Sequence, residues 1–91
     1  MVNVEEIEQF VVEQLHYTDI QRAKKNTLEV VFKRENGESV VAITVVDGIA
    51  KVIEMYDSKE FVGVITEVHK YKSFKQLQSF LRLFSEGCIT K

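Results

Sequence analysis

The stretch VVAITVVDGIAKVIEM, residues 40–55, limits the folds open to this chain more than any other segment. Its central Asp47-Gly48 dipeptide is typical of a two-residue turn between antiparallel strands. The flanking residues are mostly β-branched, which favours strands on both sides. A two-residue turn also fixes the register, so it sets Val46 opposite Ile49. The segment therefore predicts a β-hairpin, and both faces of this hairpin are largely apolar.

Neighbouring segments extend the hairpin into an antiparallel meander. The predicted strands are TLEVVFKR, SVVAITVV, IAKVIEMY and FVGVITEVH. The predicted turns between them are Asn36-Gly37, Asp47-Gly48 and a looser turn at Ser58-Lys59. Residues 16–22 are compatible with either a short edge strand or a connecting loop. The sheet therefore has four or five strands.

A helix is predicted on each side of the meander, because apolar residues recur there at helical spacing. The apolar positions are Val4, Ile7, Phe10, Val11 and Leu15 in the first helix, and Phe74, Leu77, Phe80, Leu81 and Phe84 in the second. Asn3 with Glu6, and Ser73 with Gln76, have the spacing of capping boxes. Gly87 is the expected C-terminal cap of the second helix. The fold class is therefore α+β: N-terminal helix, antiparallel meander of four or five strands, C-terminal helix, in a single domain over residues 1–91.

The composition indicates an ordinary globular domain without a membrane span. Hydrophobic residues make up 45% and charged residues 29% of the chain, so disorder is not expected. No apolar run reaches the ~18–20 residues of a membrane span. The N-terminus lacks the features of a signal peptide. The single cysteine, Cys88, excludes an internal disulfide and fits a reducing compartment. We expect a cytoplasmic protein.

The register predicts one sheet face that forms the core and a second face with an exposed apolar patch. Glu54 and Glu67 are the charged residues on the core-facing side, towards the last two strands. The second face should carry an interface formed by Ile49, Ile53, Met55, Val62, Val64 and Val68. Soluble monomers rarely leave such a patch uncovered. Three covers are possible: one helix on each face, a second copy in a homodimer, or a different protein or ligand.

Basic residues form two groups that would suit an anion or nucleic acid. The candidate residues are Arg22, Lys24, Lys25, His69, Lys70, Lys72 and Lys75. The second group precedes or opens the last helix, whose free N–H groups can bind phosphate. The net charge of −2 argues against nucleic acid as the primary ligand. Solvated basic loops explain both groups more simply.

No motif predicts catalysis, a metal or a cofactor. His16, His69 and Cys88 lack the paired spacing of a zinc site, and nothing brings His69 and Cys88 together as a catalytic dyad. Glu54 and Glu67 could act as an acid–base pair or bind a hard cation, but a solvated position at the sheet rim is the simpler interpretation. We therefore predict a small non-enzymatic protein-interaction module that self-associates through its apolar sheet face. The alternative is a nucleic-acid or phosphate-binding protein that uses residues 70–75.

Overall fold

The computed structural model of the protein describes residues 2–60 and 63–86. It contains a five-stranded antiparallel meander between two helices, which confirms the predicted α+β arrangement. The elements are α1 (Val4–Gln9), which continues as a π-helical segment (Phe10–Gln14), β1 (Ile20–Lys24), β2 (Thr27–Arg34), β3 (Gly37–Val46), β4 (Ile49–Asp57), β5 (Val64–Tyr71) and α2 (Phe74–Ser85). The fifth strand is β1, which takes in residues 20–22 of the segment 16–22 that the sequence allowed as a strand or a loop, and continues to Lys24. In the part of the chain described, no helix is long and apolar enough to cross a membrane.

The two predicted helix caps are present. The side-chain oxygen of Asn3 accepts a hydrogen bond from the Glu6 backbone N–H at 2.9 Å. The Ser73 hydroxyl likewise accepts from the Gln76 N–H at 3.4 Å. Each contact satisfies an N–H group that has no partner within its own helix. The predicted cap at residue 87 lies outside the described residues.

The Asp47-Gly48 turn forms as predicted. Both residues have positive φ angles, 53° and 75°, as a type I′ turn requires. Val46 pairs with Ile49, so the register of β3 against β4 is the one that the turn dictates.

The β2–β3 hairpin differs from the prediction by two residues. Gly37 is the first residue of β3 and pairs with Arg34, so the turn precedes it. Val30 therefore faces Val41, not Ile43. Because side chains alternate with a period of two, this shift leaves every residue on its predicted face. Gly37 is needed for another reason: a Cβ there would lie 2.2 Å from the Asp57 carbonyl oxygen of β4.

The β4–β5 connection contradicts the predicted Ser58-Lys59 turn. β4 continues to Asp57 and β5 begins at Val64, so the connection is longer than two residues. Val52 consequently pairs with His69 instead of Ile65. The Asp57 carboxylate accepts a hydrogen bond from the Gly63 N–H at 2.6 Å, which ties the end of this connection to β4.

An irregularity in the β4–β5 pairing reverses the faces of two predicted residues. The register shifts between Glu54 and Met55, so that Ile65 pairs with Met55 and Val64 with Tyr56. A β-bulge of this kind adds one residue to one strand and offsets the alternation beyond it. Ile65 therefore lies on the second face, and Val64, predicted as an interface residue there, lies on the core-facing side.

The core lies on one side of the sheet, between the sheet and both helices. Buried residues from α1, the π-helical segment, α2 and the inner sheet face form one cluster. Its fully buried large side chains are Phe32, Ile7, Leu28, Ile43, Leu77, Leu81, Val11, Val30, Val41 and Val52. The three-layer arrangement, with one helix on each face, is therefore wrong. Each helix has a single apolar stripe, and the inner face is broad enough to take both.

Aromatic contacts fix how the helices sit on that face. The Phe32 ring makes edge-on contacts with Tyr17 at 4.6 Å and with Phe84 at 5.0 Å between ring centroids. The Arg34 guanidinium lies 4.6 Å from the centroid of the Phe84 ring and donates to the Phe84 carbonyl at 3.2 Å. Phe32 thus joins α2 to the segment that follows α1.

We expect Gly37→Ala to lower the free energy of unfolding by about 1–3 kcal/mol, the usual range for overpacking. The added methyl group would meet a backbone carbonyl of β4, which cannot turn aside as a side chain can. Urea denaturation measures the change. Gly63→Ala is the comparison, because no atom lies within 4 Å of the added Cβ and only its φ of 64° opposes the substitution. A neutral Gly37→Ala would show that the two strands do not approach so closely.

Candidate functional site: an open sheet face and a histidine–carboxylate cluster

The second sheet face carries a band of apolar side chains, here called the open face. Two rows of cross-strand partners form its centre: Val31, Val40, Met55 and Ile65 in one row, and Ala42, Ile53 and Val68 in the next. Both described helices pack on the opposite side of the sheet. The exposed fractions are 60% for Ile65, 51% for Val68 and 56% for Val46, so large apolar side chains face solvent.

Most of the predicted interface residues lie on the open face. Ile49, Ile53, Met55 and Val68 occupy positions that alternate with core residues along β4 and β5. Val62 lies outside the described residues, and Val64 belongs to the other side. Ile65 was missed, because only the bulge turns it towards the open face.

The open face carries opposite net charge at its two ends. At one end, Lys51 pairs directly with Lys70, an arrangement that costs energy because like charges face each other. At the other end, Glu38 pairs with Lys33 on one side and with Asp57 on the other. The Lys33 ammonium donates to the Glu38 carboxylate at 2.7 Å, and this hydrogen bond raises the pKa of Lys33. That end is therefore net acidic, and the first end is basic.

The predicted basic residues do not form one surface. The two groups lie at the same end of the sheet, one at each outer strand, with three strands between them. Lys25 lies in the turn after β1, Lys72 follows the end of β5, and Lys75 belongs to α2. Arg22 is engaged by Glu8 of α1 at 3.2 Å, and His69 by Glu54. The remaining lysines are exposed: Lys24, Lys25, Lys70, Lys72 and Lys75.

Both outer strands have features that oppose strand-to-strand association. Each contains a register irregularity, between Arg22 and Lys24 in the β1–β2 pair and near Thr66 in the β4–β5 pair. Each also carries exposed lysine, at Lys24 and Lys70. Bulges and lysines are devices by which proteins keep open sheet edges from pairing. These features disfavour association through either edge of the sheet.

A second group of candidate site residues lies on the core-facing side, at the β4–β5 pair. Glu54 pairs directly with Glu67, and His69 follows two residues along β5, on the same face. The His69 Nε2 atom contacts the Glu54 carboxylate closely and lies 3.8 Å from a Glu67 carboxylate oxygen. One ligand atom from each residue lies within 4.8 Å of the other two. These residues are here called the histidine–carboxylate cluster.

Aromatic rings cover the cluster from the helix side. The Phe80 ring of α2 lies 5.0 Å from the His69 ring, and Tyr71 stacks beside His69 at 6.0 Å between centroids. The side chains of Glu54 and His69 are 14% and 24% exposed, whereas that of Glu67 is 63% exposed. The cluster is therefore a half-buried site with one open side.

The cluster affects the acidity of Tyr71. Burial raises the pKa of the Tyr71 phenol above its ordinary value, and the nearby charges of Glu54 and Glu67 raise it further. All three effects disfavour the phenolate.

Sequence reasoning placed Glu54 and Glu67 near each other but did not include His69. The assumed turn at Ser58-Lys59 would have set His69 opposite Gly48, before the start of β4 and away from Glu54. The longer connection slides β5 so that His69 faces Val52, next to Glu54. The spacing Glu67-x-His69 places the two side chains on one strand face, and this was the signal available in the sequence.

Comparison of the chain with protein-family models, curated proteins and solved structures gave no match in any of the three.

We expect Glu54→Gln to lower the pKa of Tyr71, because it removes a negative charge that opposes the phenolate. An NMR titration of the Tyr71 ring carbon attached to oxygen measures this, and Glu29→Gln, on the opposite sheet face, is the control. The sign for stability follows from linkage. Above about pH 10 the folded protein keeps a proton that unfolded tyrosine loses, so this group makes stability fall as pH rises. An unchanged Tyr71 pKa in Glu54→Gln would contradict the assigned cause.

Proposed function

We propose that the protein is a non-enzymatic interaction module that forms a homodimer through its open face. The observation that carries the proposal is the band of apolar side chains from Val31 to Ile65 and from Ala42 to Val68, which neither described helix covers. Burial of apolar surface is the main favourable term in protein association. A cytoplasmic location remains a prediction from the sequence.

The charge pattern of the open face supports a second copy as the occupant. In the proposed dimer, the two-fold axis lies between the sheets and runs perpendicular to the strands. Each strand then lies over the same strand of the other copy and runs antiparallel to it. One end of the open face therefore contacts the opposite end of the open face in the other copy. Along β4, Asp57 of one copy comes over Lys51 of the other, and Met55 over Ile53. The basic end thus meets the acidic end, and the apolar rows meet each other.

The features of the outer strands support stacking of faces over joining of edges. A dimer that extended the sheet through β5 would need a regular row of unpaired backbone groups. The bulge near Thr66 interrupts this row, and Lys70 would place a positive charge at the interface between the two β5 strands.

Ile53→Glu is expected to convert the dimer into a folded monomer. The carboxylate would be buried without a partner at the centre of the interface, which costs several kcal/mol and raises the dissociation constant about 100-fold or more. Sedimentation equilibrium at several concentrations measures the mass, and circular dichroism checks the fold. Leu83→Glu is the matched control, because Leu83 is 69% exposed but lies on α2, away from the open face.

A charge exchange tests the arrangement of the two copies. Lys51→Asp should weaken the dimer, and adding Asp57→Lys should restore it, because the proposed stacking brings these two positions together.

A wild-type protein that stays monomeric at all concentrations would refute the homodimer. Dissociation by Leu83→Glu but not by Ile53→Glu would move the interface to α2.

A nucleic-acid or phosphate-binding role is the second candidate, and the paired lysines favour it. Lys51 and Lys70 face each other without an acidic partner among their cross-strand neighbours. The exposed Lys72 lies two residues after Lys70, just beyond the end of β5. A polyanion would relieve the repulsion between the two ammonium groups.

This second role predicts weak binding of single-stranded nucleic acid that falls steeply with salt. Lys70→Glu together with Lys72→Glu should reduce both the affinity and the dependence of the affinity on salt concentration. Each phosphate contact that is lost lowers the number of counterions released on binding. Fluorescence anisotropy at several salt concentrations measures both quantities, and Lys33→Glu at the other end of the open face is the control. Binding that is insensitive to salt and to these lysines would exclude the role.

A further inference from the structure

We propose that Glu54, Glu67 and His69 form a binding site for a divalent transition-metal ion such as Zn²⁺. The site lies on the core-facing side of the β4–β5 pair, whereas the proposed dimer uses the open face. The two proposals therefore stand or fall separately.

The geometry of the cluster suits a single ion. Zinc binds imidazole nitrogen and carboxylate oxygen at about 2.0–2.2 Å, so two ligands of a tetrahedral ion lie on the order of 3.4 Å apart. The three ligand atoms here all lie within 4.8 Å of one another, and His69 Nε2 is 3.8 Å from Glu67. Small side-chain rotations bring all three atoms to one ion. The backbone does not have to move, because adjacent strands already hold the residues in place.

The electrostatics of the cluster favour a cation between the two carboxylates. Glu54 and Glu67 face each other directly across the strand pair, where like charges repel. Protonated His69 would balance one of the two negative charges. A divalent ion balances both, while neutral imidazole becomes its third ligand. The 14% exposure of the Glu54 side chain makes this compensation more valuable than it would be in open water.

The donor set points to a transition metal over Mg²⁺ or Ca²⁺. Imidazole is a ligand for zinc, iron, copper and nickel, whereas Mg²⁺ and Ca²⁺ prefer sites built of oxygen. Three protein ligands leave at least one coordination position open, and the exposed Glu67 marks the side on which water would fill it. Phe80 and Tyr71 cover His69 and hold its ring beside Glu54.

The test is titration of the full chain with Zn²⁺ by isothermal calorimetry, with Mg²⁺ as the comparison ion. We expect one Zn²⁺ per chain and no comparable Mg²⁺ binding. The measurement is made in a Cys88→Ser background, because thiolates also bind zinc. Removing a ligand with His69→Gln or Glu67→Gln should weaken the Zn²⁺ affinity about 10-fold or more. Even loss of a residue that only supports a ligand costs 10–100-fold.

Two controls keep the result interpretable. His16→Asn removes the other histidine at an exposed position and keeps a side chain that tolerates its φ of 62°, so it should leave the affinity unchanged. Glu67→Gln changes a largely exposed side chain, so we do not expect it to unfold the protein. A loss of affinity in this variant therefore reports on the site itself. NMR provides a second readout: Zn²⁺ should shift the His69 imidazole signals and leave those of His16 in place.

Several outcomes would overturn the proposal. These are absence of Zn²⁺ binding, equal affinity in the Cys88→Ser protein with and without Glu67→Gln, and loss of binding on His16→Asn. Equal binding of Mg²⁺ and Zn²⁺ would also overturn it, since it would leave imidazole without a role. None of these results bears on the oligomeric state, which the open-face variants test independently.

Discussion

Both helices bury their apolar stripes on the same side of the sheet, and the rest of the structure depends on this asymmetry. Phe32, on the inner face of β2, contacts Tyr17 and Phe84, so one sheet residue joins the two helical regions. A sheet of five strands packed on one side keeps its second face outside the core. On that face, neither described helix covers apolar residues such as Ile53 and Val68. The exposed apolar face is thus a consequence of where the helices pack.

The sequence predicts which residues of most strands face the core, whereas it predicts only part of the register between neighbouring strands. Alternation alone decides which residues of β2, β3 and β4 face the core, and it survives a shift of two residues. The β2–β3 hairpin illustrates this, because Val30 and Val41 stay on the inner face although they pair differently from the prediction. Asp47-Gly48 fixed its register because both residues accept positive φ angles. Gly37 has a different role from the one predicted: it leaves space for the Asp57 carbonyl oxygen and is not part of the turn.

The β4–β5 pair explains why the candidate surfaces were harder to predict than the fold. Its connection has no two-residue turn, so residue spacing cannot set which residues face each other. The bulge then reverses the alternation of faces along β5, which places Ile65 on the open face and Val64 on the core-facing side. The same slide brings His69 beside Glu54. A bulge depends on pairing between distant residues, and no local propensity encodes it.

β5 links the two sides of the sheet, because its alternating residues serve different surfaces. Val68 faces outward, while Glu67 and His69 face the helix side. As an outer strand, β5 has one neighbour to hold it, and its contacts to Glu54 from His69 and Thr66 supplement the backbone ladder. An ion shared by β4 and β5 would add a cross-link at this level of the sheet. The position of Val68 in the open face would then be held by bonds made on the opposite side of the same strand.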